Sequence, residues 1–119
     1  MKVALTCQGQ SLEHELDQRF GRAATILVVD LDTNFVEIID NGANAPSGGA
    51  GIAAAQRLVD RNVSAVITGQ IGPNALSVLK AADIALYQGI AGPAQQNLTA
   101  YKAGQLIDLQ KFVPSHSGK

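Results

Sequence analysis

A single cysteine, no tryptophan, and only three phenylalanines and two tyrosines set the first limits on this chain of 119 residues. Cys7 has no partner for an internal disulfide, which fits a reducing compartment and makes the cytoplasm the default location. With so few rings to stack on bases, and nine basic residues against ten acidic ones, no platform or global field is on offer to nucleic acid. No run of eighteen apolar residues occurs, and the opening Met1-Lys2-Val3-Ala4-Leu5-Thr6 has no long apolar stretch before a small-residue cleavage pattern, so neither a membrane span nor a secretory leader is expected. G-x-S-x-G, G-x-x-x-x-G-K-[ST] and G-x-G-x-x-G are also missing, which removes the nucleophile elbow, the P-loop and the dinucleotide fingerprint.

What is present suits one globular domain: 46% hydrophobic residues and a formal net charge of -1. The short apolar run Lys2 to Cys7 reads as a buried first strand, followed by a long polar, mobile connection over residues 8–24. The β-branched runs Thr25 to Asp30 and Phe35 to Ile39, separated by Leu31-Asp32-Thr33-Asn34, predict a hairpin. A glycine-rich loop then leads into a helix over Ile52 to Arg61, with Asn62 as a left-handed stop. From there strands and helices alternate: strand Ala65 to Thr68, helix Pro73 to Ala82, strand Ile84 to Tyr87, helix Pro93 to Ala103, and Gly104 as a cap. Gln105 to Val113 can add a short edge strand. Residues 1–109 are expected to form the α/β domain and 110–119 a polar C-terminal tail.

Two turns repeat one another: Gly69-Gln70-Ile71-Gly72-Pro73 and Gly89-Ile90-Ala91-Gly92-Pro93 both read G-x-x-G-P directly after a strand, with proline suited to the first helical position. A meander followed by right-handed crossovers brings Cys7, residues 8–24, the Gly48-Gly49-Ala50-Gly51 helix start and both repeated turns to one edge. If the hairpin grows on one side of the first strand and the crossover strands on the other, the sheet order is 3-2-1-4-5. The winding then reverses beside the first strand, and ligands of open α/β sheets bind at such switch points, here between Cys7 and Gly69.

Asp17-Gln18-Arg19-Phe20-Gly21-Arg22-Ala23, Gly49-Ala50-Gly51, Thr68-Gly69-Gln70-Ile71-Gly72-Pro73-Asn74-Ala75 and Tyr101-Lys102-Ala103-Gly104-Gln105-Leu106 together resemble the dinitrogenase iron-molybdenum cofactor biosynthesis family over roughly residues 1–109. The resemblance implies a three-layer, ribonuclease-H-like α/β fold with a five-stranded mixed sheet and three main helices. It also implies carriage or storage of an iron-sulfur or molybdenum-containing cluster without catalytic turnover. The family includes the orange protein of anaerobic sulfate reducers, which holds a molybdenum-copper sulfide cluster without covalent attachment, and the chain is compatible with that branch. Some relatives carry histidines in the loop before the first helix, whereas Ala45-Pro46-Ser47-Gly48-Gly49 has none.

The candidate binding set is Arg19, Phe20, Gly21, Arg22, Gly48, Gly49, Gly51, Gly69, Gly72, Asn74, Gly89 and Gly92. Arg19 and Arg22 can pair with sulfide or oxyanion charge, or one of them can pair with Asp17 and tie down its loop. Phe20 also reads as a core plug. The glycine turns expose N–H groups at helix starts, where the helix dipole favours an anion, although glycine serves ordinary turns too. Asn74 can orient a ligand or cap its own loop. Cys7 and His14 are the candidate metal contacts, although a lone buried cysteine such as Cys7 is more often a small apolar residue. Neither has a partner at metal-motif spacing, and His116 falls in the tail. The expected cargo is thus an anionic metal-sulfur cluster, held largely by charge and backbone N–H groups, with a cofactor-assembly protein or ATPase as a possible partner. A phosphate- or nucleotide-binding module and a protein-interaction domain are the alternatives.

Overall fold

The structure, a computed structural model, describes residues 1–41 and 50–109. Eight elements follow one another: β1 (Lys2–Cys7), β2 (Thr25–Asp30), β3 (Val36–Asp40), α1 (Ala50–Asp60), β4 (Ala65–Thr68), α2 (Pro73–Ala81), β5 (Ala85–Gln88) and α3 (Ala94–Lys102). The sheet order is β3-β2-β1-β4-β5, as the crossover argument predicts. β1 pairs antiparallel with β2, β2 antiparallel with β3, and β1, β4 and β5 run parallel. The register sets Cys7 opposite Thr25 and Lys2 opposite Asp30, so Asp30 lies at the far edge from Cys7.

The sheet is covered on both faces, and alternation along β1 shows how. Ala4 faces a core shared with Ala54, Ala55 and Leu58 of α1 and Ala75 and Leu79 of α2. Val3, Leu5 and Cys7 face the other way, into a core shared with Ala94 and Leu98 of α3. A central strand buried on both sides needs an almost unbroken apolar run, and β1 and β4 have one.

Element ends differ from the sequence expectation by a residue or two, with one instructive case. Pro73 opens α2 as predicted, but Pro93 stands just outside α3, with φ -61° and ψ 152°. Its extended ψ aims its carbonyl into the helix, where it accepts from the N–H groups of Gln96 (3.0 Å) and Asn97 (3.2 Å). Asn62 takes the left-handed conformation expected of it (φ 57°), as does Gly104 (φ 73°). After Gly104 the chain makes a short antiparallel contact with β5 at Tyr87 and Asp108, an edge addition rather than a full strand among the described residues. Residues 110–119, with His116, lie outside the described residues, as do Gly48 and Gly49.

The largest departure concerns residues 8–24. They form a strap laid across the edge where β1, β4 and β5 end. Gln8 and Leu16 turn the strap back on the end of β1, through the Gln8 N–H to Glu15 carbonyl bond (3.0 Å) and the Cys7–Leu16 bridge. Leu16, Phe20 and Ala23 are buried, and these apolar side chains are what pull an otherwise polar segment onto the fold.

Candidate functional site

The crevice between β1 and β4, where a ligand is expected in an open α/β sheet, is filled by the strap itself. Asp17 N–H donates to the Thr6 carbonyl at the end of β1 (2.9 Å), and Phe20 N–H donates to the Gln70 carbonyl just beyond β4 (2.9 Å). Gln70 N–H returns a bond to the Gln18 carbonyl. Gly69 is glycine for a local reason: a β-carbon there would run into the backbone carbonyl and side chain of Gln18. Beneath this plug, the Thr6 hydroxyl lies 2.6 Å from the Asp17 carbonyl and 2.8 Å from the Thr68 hydroxyl, all of it buried. Thr6 has one hydroxyl proton and a carbonyl can only accept, so Thr6 donates to Asp17 and Thr68 donates to Thr6.

On the outer side of the plug stand the two arginines. Asp17 is buried, and its carboxylate accepts from Arg19 Nε (3.0 Å), NH2 (3.0 Å) and backbone N–H (2.9 Å). Burial alone would raise the Asp17 carboxyl, but the side-chain and backbone bonds from Arg19, with its charge, outweigh this and hold it below the ordinary carboxylate range. The same bond raises Arg19. The Arg19 side chain is still 58% exposed. Arg22, exposed at the tip of the next turn, makes no hydrogen bond or ion pair among the described residues. That turn is clamped by Asn41, a buried residue whose side-chain amide donates to the Ala23 carbonyl (3.0 Å) and more weakly to that of Phe20 (3.5 Å). Phe20 is a core residue, with its ring packed among Ala4, Ile26 and Val66.

The two repeated turns are not equivalent. At the second, Gly89 is buried, and a β-carbon there would meet Leu16 of the strap. Gly92 has φ 132°, a backbone conformation that favours glycine. Buried Asn97, one turn into α3, accepts from the Ile90 N–H (2.7 Å) and donates to the carbonyls of Ile90 (3.0 Å) and Pro93 (3.2 Å). The first N–H groups of α3 are taken as well: Ala94 donates to His14 and Gln95 to Leu12, each at 2.8 Å. The strap therefore caps this helix.

At the first turn, a β-carbon on Gly72 would meet nothing within 4 Å among the described residues, although its φ of -74° is open to any residue. The backbone N–H groups of Ile71, Gly72, Asn74 and Ala75 find no acceptor among the described residues. Gly51, in the first turn of α1, lets α2 approach: a β-carbon there would sit 3.4 Å from that of Ala75. The starts of α1 and α2 are thus adjacent, and both dipoles place partial positive charge at this corner.

Residues 1–104 match the family of the dinitrogenase iron-molybdenum cofactor. The chain belongs to that family. It is 38% identical to the apo form of the orange protein from Desulfovibrio gigas, over 90% of this chain and 91% of that one, with a TM-score of 0.84. A NifB-like protein of the DUF35 family from Thermotoga is 30% identical, with 96% and 97% coverage and a TM-score of 0.82. An uncharacterised protein of Methanocaldococcus jannaschii is 28% identical over 109 residues, 89% of each chain. Family membership points to cofactor-related binding.

The metal candidates sit apart from the open corner. Cys7 is buried on the α3 side, its thiol 3.5 Å and 3.8 Å from the Ser11 and His14 carbonyls. His14 is exposed, its Nδ1 3.0 Å from the Ser11 hydroxyl, and its ring covers Gly9. No group of three or more His, Cys, Asp and Glu side chains suited to a metal ion occurs among the described residues, and none of their helices is long and apolar enough to cross a membrane. Tyr101 to Leu106 lies away from the corner: Tyr101 meets Tyr87 edge-on (5.0 Å between ring centres), and Gly104 ends α3. The sequence reading misses Asn41 and Asn97. The one available signal for Asn97 is a polar residue four positions after the proline of a G-x-x-G-P turn.

Proposed function

We propose that the chain binds, carries or stores an anionic metal-sulfur cluster without catalytic turnover, at the corner formed by the Gly69–Asn74 turn, the start of α1 and the Arg19–Arg22 stretch of the strap. The single observation that carries this reading is the start of α2: four N–H groups without an acceptor among the described residues, beside a glycine that none of those residues requires. Backbone donors at a helix start, joined by guanidinium groups, suit sulfide and thiomolybdate charge. They do not form a ligand set for a bare metal ion. The cluster is cargo held by charge and N–H groups, a molybdenum-copper sulfide or an iron-molybdenum cofactor precursor. Cys7 and His14 stand outside this set, and the donors spent at the Gly89–Pro93 turn make Gly89 and Gly92 supports for the strap. The proposed setting is the cytoplasm, with a cofactor-assembly protein or ATPase as the source or recipient of the cargo.

The test is reconstitution of the apo-protein with tetrathiomolybdate, with and without copper(I), followed by gel filtration. Visible absorption co-eluting with the protein is expected, and Arg22→Ala should weaken retention about tenfold, roughly 1.4 kcal/mol. Colour that separates from the wild-type protein would remove the cluster reading. Thermal stabilisation by a nucleotide or phosphate instead would favour the second use of the same helix start.

A further inference from the structure

We infer that Asp17 is a positioning residue for this corner: it fixes Arg19 in one orientation, so that the guanidinium edge it does not bind faces outward beside the Gly69–Asn74 turn. The inference rests on the binding reading above. Three observations meet here. The Asp17 carboxylate is buried and receives both Nε and NH2 of Arg19, leaving the NH1 group without an acceptor among the described residues. The backbone of Asp17 is anchored on both sides, its N–H on the Thr6 carbonyl and its carbonyl on the Thr6 hydroxyl, with the Thr68 hydroxyl behind. Arg19 itself is bridged to Gln70 at the base of the open turn.

An arginine side chain has several free rotors, and a bidentate carboxylate on a rigid base removes them before any anion arrives. A carboxylate that merely neutralised its arginine would act in the opposite sense, since it subtracts positive charge from the site. Removing the Asp17 charge therefore separates the two roles: anion binding weakens if Asp17 positions Arg19 and tightens if it only cancels charge.

The experiment titrates the full chain with tetrathiomolybdate and compares wild type with Asp17→Asn and Asp17→Glu, the second keeping the charge while displacing it. Both variants are expected to weaken affinity about tenfold, or 1.4 kcal/mol, and Asp17→Asn should have no further effect in an Arg19→Gln background. Affinity that is unchanged or tighter in Asp17→Asn, or an equal loss when Arg19 is already Gln, overturns the inference. If Asp17→Asn does not fold, Asp17→Glu decides alone: undiminished affinity overturns the inference. If wild type fails to bind the probe, the binding reading fails, and the positioning claim is then read from the Arg19 Nε–H resonance. A single, slowly exchanging signal in wild type that averages in the variants supports it, and an identical signal in all three overturns it.

Discussion

In the turn from Gly69 to Pro73 the second glycine looks onto open space and the Asn74 and Ala75 N–H groups of α2 find no acceptor among the described residues; in the turn from Gly89 to Pro93 their counterparts on Ala94 and Gln95 donate to the strap, and Asn97 takes the Ile90 N–H. The motif is the same and its use is opposite. A glycine forced by a left-handed φ or by a neighbour's carbonyl reports on packing. A glycine that nothing inside the chain forces, at a position where serine or aspartate would cap the helix, leaves room for something outside the chain. Shared spacing identifies a pair of helix starts, and only the inventory of their donors separates the support from the proposed site.

The comparison breaks most visibly at Asn97. Asn97→Ala removes three partly buried hydrogen bonds at the second turn, so urea denaturation should show a loss of about 1–3 kcal/mol, while cluster retention by the folded fraction stays unchanged. Loss of retention at unaltered stability would assign that turn to the site. Gly92→Ala should cost about 1–3 kcal/mol by the same measurement, because its φ of 132° is strained for any side chain.

Gly72→Ser is the reciprocal change. Its φ of -74° and ψ of 162° suit a capping serine, so stability should rise by about 0.3 kcal/mol, yet the new side chain enters the open corner and retention should fall about tenfold, roughly 1.4 kcal/mol. Retention that follows stability upward would close the corner as a candidate. The smallest effect is the acid response of the plug. Asp17 has a lowered carboxyl, so its contribution is present above the unfolded carboxylate value and is lost as pH falls through the lower, folded one. Chemical denaturation at pH 7 and pH 3 should show that acid-dependent part flattened in Asp17→Asn.

Much of the scaffold was legible in residue order alone. The apolar run Lys2 to Cys7, the β-branched run Thr25 to Asp30 and the strand at Ala65 to Thr68 match β1, β2 and β4 to the residue, Asn62 and Gly104 marked helix ends by their tolerance of positive φ, and alternation forced the parallel half of the sheet. The strap was not legible, because its attachments are mostly main-chain bonds to distant segments and leave no period in the side chains. Its only trace was the sparse apolar set Leu12, Leu16, Phe20 and Ala23 within a polar stretch. Arg19 and Arg22 read alike in sequence but divide in space, one clamped by Asp17 and one without a partner among the described residues, since that depends on which carboxylate the strap carries inward.

The hydroxyl pair under the plug joins Thr6 to Thr68, sixty-two positions apart. Closing so long a loop is entropically slow, and the strap has nowhere to dock until the parallel β1–β4 pairing exists. The corner is therefore expected to be among the last parts of the molecule to take shape during folding. The proposed cargo would find no seat on a chain still on its way to the native state, so loading would select molecules whose β1–β4 pairing has already formed.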